Sequence, residues 1–135
     1  SQYCTAFAQA RRPISCYGTT HADYFYGDIP IVYDLLKNEI ENNYERNIGL
    51  SIVNYFKDNK IDYNKMPGCL LPNHEVYVWG TTKQQALENA IVIEEIAKLA
   101  FLTEKMRVCD HKLSKSLLDK HFDRKHGTTK YYGQR

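Results

Sequence analysis

No excess of charge of either sign marks this sequence. Eighteen Lys and Arg stand against sixteen Asp and Glu, a formal net charge of +2. A surface that coats nucleic acid needs a strong basic bias, so nucleic acid is not an expected partner. The sequence has no apolar run long enough to span a bilayer: its longest mostly apolar stretch, Ala90 to Leu102, is interrupted by Glu94, Glu95 and Lys98. A membrane is therefore not an expected partner either. The opening residues lack the charged segment and apolar core of a secretory signal. Cysteine is sparse, and Cys4, Cys16, Cys69 and Cys109 form no C-x-x-C pair of the kind that zinc knuckles and dithiol redox centres use. Free thiols in a reducing cytoplasm are the expectation. H-E-x-x-H, H-x-H, internal repeats and low-complexity tracts are missing too. No metal site is thus self-evident from spacing.

What is present reads as one globular domain: 135 residues, 43% hydrophobic and 25% charged, close to the soluble average. The chain opens on Ser-Gln-Tyr-Cys without an initiator Met, and we expect it to be part of a longer polypeptide. Residues 1–10 are rich in helix formers, with Tyr3, Phe7 and Ala10 on one face. Arg11-Arg12-Pro13 ends that helix. Ile14 to Tyr17 and Ile29 to Val32 read as short strands around a polar loop, Gly18 to Gly27. From Asn38 to about Asp58, Ile40, Tyr44, Ile48, Ile52 and Tyr55 recur at helical spacing. Cys69 to Leu71 and Val76 to Trp79 read as strands on either side of Pro72-Asn73. Thr82-x-x-Gln85 is a capping box opening a long helix to about Arg107. A last helix, roughly Ser116 to His126, stops at Gly127. Helices alternating with short strands predict a mixed α/β fold with few strands for a closed sheet.

Several residues could carry chemistry. His74 lies in the turn between two apolar strands, where a rigid sheet can aim an imidazole into a cleft. A structural or solvated histidine is the commoner meaning of such spacing. Cys109-Asp110-His111 could ligate a soft metal but lies in a charged helix exit. Gly18-Thr-Thr-His-Ala-Asp-Tyr-Phe-Tyr-Gly27 crowds hydroxyls, an imidazole, a carboxylate and three rings between two glycines. A carboxylate among rings suits a proton shuttle; a polar turn capped by Asp23 and Thr20 is the equal alternative. The basic residues from Lys112 onward either capture a phosphate or form a solvated face. Tyr131-Tyr132 in a polar tail suggests aromatics that dock on a neighbouring subunit.

Taken together, these segments resemble the L-ribulose-5-phosphate 4-epimerases of the class II aldolase superfamily. The matching pieces are the Gly18–Gly27 decapeptide with Ile29-Pro30, Met66-Pro67-Gly68, His74 with Trp79-Gly80, and Ala90 to Glu95. Leu117 to His121, Arg124-Lys125-His126-Gly127 and Tyr131-Tyr132-Gly133-Gln134 follow in order. The resemblance implies a central β-sheet flanked by helices, with residues 1–135 as the C-terminal part of a single such domain. It also implies a cytoplasmic homotetramer with active sites between subunits, acting on a pentulose 5-phosphate. A divalent metal, usually zinc, is implied, held by three histidines. His74 matches the third, and the other two belong to a His-Thr-His segment expected immediately before Ser1. The implied reaction converts L-ribulose 5-phosphate to D-xylulose 5-phosphate by breaking and remaking the C3–C4 bond. Asp23 and Tyr132 match its two acid/base residues, Tyr132 coming from the adjacent subunit. His121 and Arg124 are further substrate-side candidates. Two other readings stay open: a related aldolase of another sugar phosphate, and a catalytically incomplete piece that only oligomerises.

Overall fold

The computed structural model describes residues 1–106 and 111–132. Helix α1 (Gln2–Gln9) packs along α5 (Lys83–Met106). Their joint is polar as well as apolar. Glu94 of α5 accepts the backbone N–H groups of Tyr3 at 2.7 Å and Cys4 at 3.0 Å, capping the first turn of α1 from another helix. Burial opposes the Glu94 charge, yet these donors hold its carboxyl below the usual range.

The sheet is small. β1 (Gly68–Leu70) pairs antiparallel with β2 (Val76–Val78), with Cys69 opposite Tyr77. The strands expected at Ile14–Tyr17 and Ile29–Val32 are reduced to single bridges, Ile14 with Ile29 and Ile31 with Leu70. Ile14 pairs once, and Ile29 and Ile31 pair singly with two different segments, too little for a ladder. Pro30, which lacks an N–H, offers its carbonyl to Leu70 at 2.8 Å.

The expected helix Asn38–Asp58 is two helices, α3 (Lys37–Glu41) and α4 (Tyr44–Asp58). Asn43 between them has φ 53°, a left-handed conformation that asparagine tolerates better than most residues. The apolar period runs on across this break, which is why the pattern hid it. Ile48 and Phe56 of α4 are buried, whereas Ile40 is 53% exposed.

The capping box at α5 forms with a shift. Thr82 Oγ1 accepts from Gln85 N at 3.1 Å, but Gln85 Oε1 reaches Thr81 N rather than Thr82 N. α6 (Lys115–His126) is capped by Ser114. Gly127 ends it for a reason other than left-handed geometry, since its φ is −68°. A Cβ there would meet Asp123 O at 2.5 Å, so only glycine lets the chain pass that carbonyl. The core gathers Phe25, Ile14, Ile29, Leu70, Ile93, Cys4 and Cys69, all fully buried. Mixed α/β is therefore the observed class, as the sequence led us to expect.

Candidate active site

The Gly18–Gly27 segment is no plain turn. Thr19–Tyr24 forms a short helix, α2, which buries His21, Ala22 and Asp23. Six residues are too few for a helix to be stable alone. Packing supplies the rest: Phe25 follows α2 into the core, and α6 lies across it. His21 is buried, and desolvation pushes its imidazole down to about 4, so at neutral pH it is uncharged. Its Nε2–H donates to Gly27 O at 2.8 Å and closes the segment as a loop. His21 is thus a structural residue.

Asp23 meets α6. His121 Nδ1–H donates to Asp23 Oδ1 at 3.0 Å, and Arg124 Nε and Nη2 reach the same oxygen at 3.3 and 3.2 Å. Arg124 Nη2 also donates to Oδ2 at 3.0 Å. His121 and Arg124 stand three residues apart, on one helix face, and converge on one carboxylate. The charge-assisted fork fixes the direction of the carboxylate as well as its place. The Tyr132 ring stacks against the guanidinium, its centroid 4.1 Å from Arg124 Cζ, and Tyr132 is itself 51% exposed. A second anchor holds α6 against the loop: Tyr26 donates to Asp119, which also accepts from Lys115, while the Tyr26 ring meets Phe122 edge-on at 5.1 Å. Four of the five expected site residues are therefore brought together: Asp23, His121, Arg124 and Tyr132.

His74 stands apart. It is presented at the tip of the β1–β2 hairpin, after Asn73 in the left-handed region at φ 59°. Its ring lies 6.1 Å from that of Tyr77 and lines a cleft of about 540 Å³ with Arg11, Tyr33, Tyr44 and Leu71. None of the Asp23 cluster lines that cleft. His111 borders a different cavity, with His21 and Thr103; Cys109 and Asp110, its suggested co-ligands, lie outside the described residues. The buried thiols of Cys16 and Cys69 are pushed up to about 12 by desolvation, so neither is a thiolate nucleophile at neutral pH.

Residues 1–101 match the family profile of the class II aldolase and adducin N-terminal domain. This chain belongs to that family. α6 and the tail lie beyond the profile, but curated relatives align through them. A probable L-ribulose-5-phosphate 4-epimerase of Mycoplasma pneumoniae is 39% identical over 99% of this chain and 56% of its own length. The L-ribulose-5-phosphate 4-epimerase of Salmonella paratyphi C is 38% identical over 100% of this chain and 58% of its own length. The chain thus spans a little over half the length of these relatives. A solved L-fuculose 1-phosphate aldolase superposes with a TM-score of 0.68 over 92% of this chain and 51% of that one. At 17% identity, it supports the fold alone.

A divalent ion of the kind the resemblance implies needs several converging ligands. A catalytic zinc takes three protein donors. Among the described residues no three His, Cys, Asp or Glu side chains group in that way. His74 supplies a single imidazole, whose ring no described side chain hydrogen-bonds. These residues do not fit a metal by themselves. The 135-residue chain is expected to bind zinc no more tightly than about 10 μM in calorimetry, because one histidine cannot close a site. Tight one-to-one binding would contradict this.

Proposed function

We propose that this chain is the C-terminal part of an L-ribulose-5-phosphate 4-epimerase. The observation that carries the proposal is identity of 38–39% to named epimerases over essentially the whole chain, a range that spans the Asp23 cluster. The substrate is a pentulose 5-phosphate, and the working unit is a cytoplasmic homotetramer. The zinc expected from the resemblance needs ligands from beyond Ser1 besides His74.

The chemistry asked of this chain is proton transfer. As C3–C4 breaks, the O4 proton leaves and the bonding pair stays with the three-carbon fragment. The aldehyde fragment turns over and is attacked on its other face, forming C3–C4 again while O4 regains a proton. Inversion at C4 therefore requires acid/base groups on both faces. Asp23, its carboxylate aimed by His121 and Arg124, serves one face. The Tyr132 phenol serves the other, from an adjacent subunit as the resemblance implies.

The full-length polypeptide that contains this chain is expected to convert L-ribulose 5-phosphate to D-xylulose 5-phosphate and to leave L-fuculose 1-phosphate uncleaved. Product analysis by chromatography or NMR checks both. Cleavage of the deoxyhexulose phosphate without epimerisation of the pentulose would favour the related-aldolase reading instead.

A further inference from the structure

One contact at the site belongs neither to the acid/base pair nor to the internal bonding of α6. His126 Nε2 lies 2.7 Å from the backbone carbonyl oxygen of Asp23, 103 positions away in sequence. A carbonyl only accepts, so Nε2 carries the proton. Desolvation lowers the affinity of this imidazole for a second proton, helped by Lys125 and Lys130 and opposed by the Asp23 bond, and the net effect favours the neutral ring. The ring also stacks on Phe122, centroids 4.5 Å apart and planes at 30°, and Phe122 is buried. Packing thus fixes the donor before it meets its acceptor. The acceptor needs a partner: the last carbonyls of a helix have none within it, and Asp23 lies in the closing turn of α2.

We infer that His126 is a positioning residue for Asp23. Its Nε2–H pins the main chain at that residue while His121 and Arg124 pin the carboxylate, so one helix grips both ends of the same amino acid. The position of the carboxylate then does not depend on the marginal stability of a six-residue helix. This inference rests on the acid/base role proposed for Asp23.

Two variants of the full-length enzyme separate hydrogen bonding from packing. His126→Phe keeps the stack on Phe122 and removes the donor; His126→Gln keeps an N–H near the Nε2 position and removes the ring. The Phe variant is expected to lose about tenfold to a hundredfold in kcat with KM within about twofold, and the Gln variant to regain most of that loss. The opposite order, an active Phe variant and an impaired Gln variant, would assign His126 to packing and overturn the inference. If both variants fold poorly, the imidazole 15N shifts of the wild-type enzyme decide: a ring protonated at Nε2 supports the contact, and one protonated at Nδ1 overturns it. A wild-type enzyme that does not epimerise L-ribulose 5-phosphate would instead count against the functional proposal, and the tautomer would still decide the contact.

Discussion

Asp23→Asn in the full-length enzyme is expected to lower kcat by about a thousandfold, within the range that positioned acid/base groups contribute, with little change in KM. The amide is nearly the same size as the carboxylate, but it cannot take a proton at neutral pH. Its oxygen can still accept from His121 Nδ1 and Arg124 Nε at the Oδ1 position. Its NH2 group would then replace Oδ2, the oxygen that now accepts from Arg124 Nη2, and set donor against donor. The Arg124 fork therefore loses one prong, while α6 stays held through Tyr26, Asp119 and Phe122. Steady-state kinetics with circular dichroism separates lost chemistry from lost fold. Wild-type turnover in this variant would remove Asp23 from the mechanism. Mixing it with Tyr132→Phe extends the test. If the phenol crosses between subunits, random co-assembly restores about a quarter of the sites, since each intact site needs one good residue from each partner. No recovery would assign the phenol to the chain that also supplies Asp23, as the stacking of Tyr132 on its own Arg124 permits.

Phe25→Ala is expected to cost about 3–5 kcal/mol of folding stability, the usual range for emptying a fully buried aromatic site. Phe25 is the largest fully buried side chain among the described residues. It sits directly after α2, its ring edge-on to His21 at 6.2 Å. A Cβ on Gly68 would lie only 3.3 Å from it and 3.0 Å from Ile93 Cδ1, which shows how closely β1, α5 and this ring approach one another. The cavity would therefore open directly beneath the segment that carries Asp23. Denaturant unfolding of the full-length protein checks the magnitude, and Phe25→Leu, which retains most of the volume, should lose much less. An alanine variant as stable as wild type would mean that the loop is not held by the core.

Three of the packed helices were legible because their signals are local. α1, α5 and α6 combine helix formers, apolar spacing and, at α5, a Thr-x-x-Gln start, and each formed within a residue or two of its expected place. α2 was not legible: six mostly polar residues carry no period, and the helix exists because α6 and the core hold it. The turn at Asn43 was masked by apolar spacing that continues through it. Ile29 to Val32 has strand composition but lacks the flanking ladder that composition cannot supply. The meeting of Asp23 with His121 and Arg124, about a hundred residues on, was accessible only through family resemblance, since no spacing rule links such distant positions. His126 stood inside a recognised motif without a role, because its partner is a backbone carbonyl and leaves no mark in side-chain chemistry.

The clasp of Glu94 on the first turn of α1 carries a last implication. An exposed helix start attracts phosphoryl groups through its unpaired amides and its partial positive charge. Here those amides, at Tyr3 and Cys4, already face a carboxylate from α5. A second anion would meet repulsion there rather than donors. On the proposed reading, the phosphate of the sugar substrate would find no free donors at Tyr3 and Cys4, whose amides serve instead to brace α1 on α5.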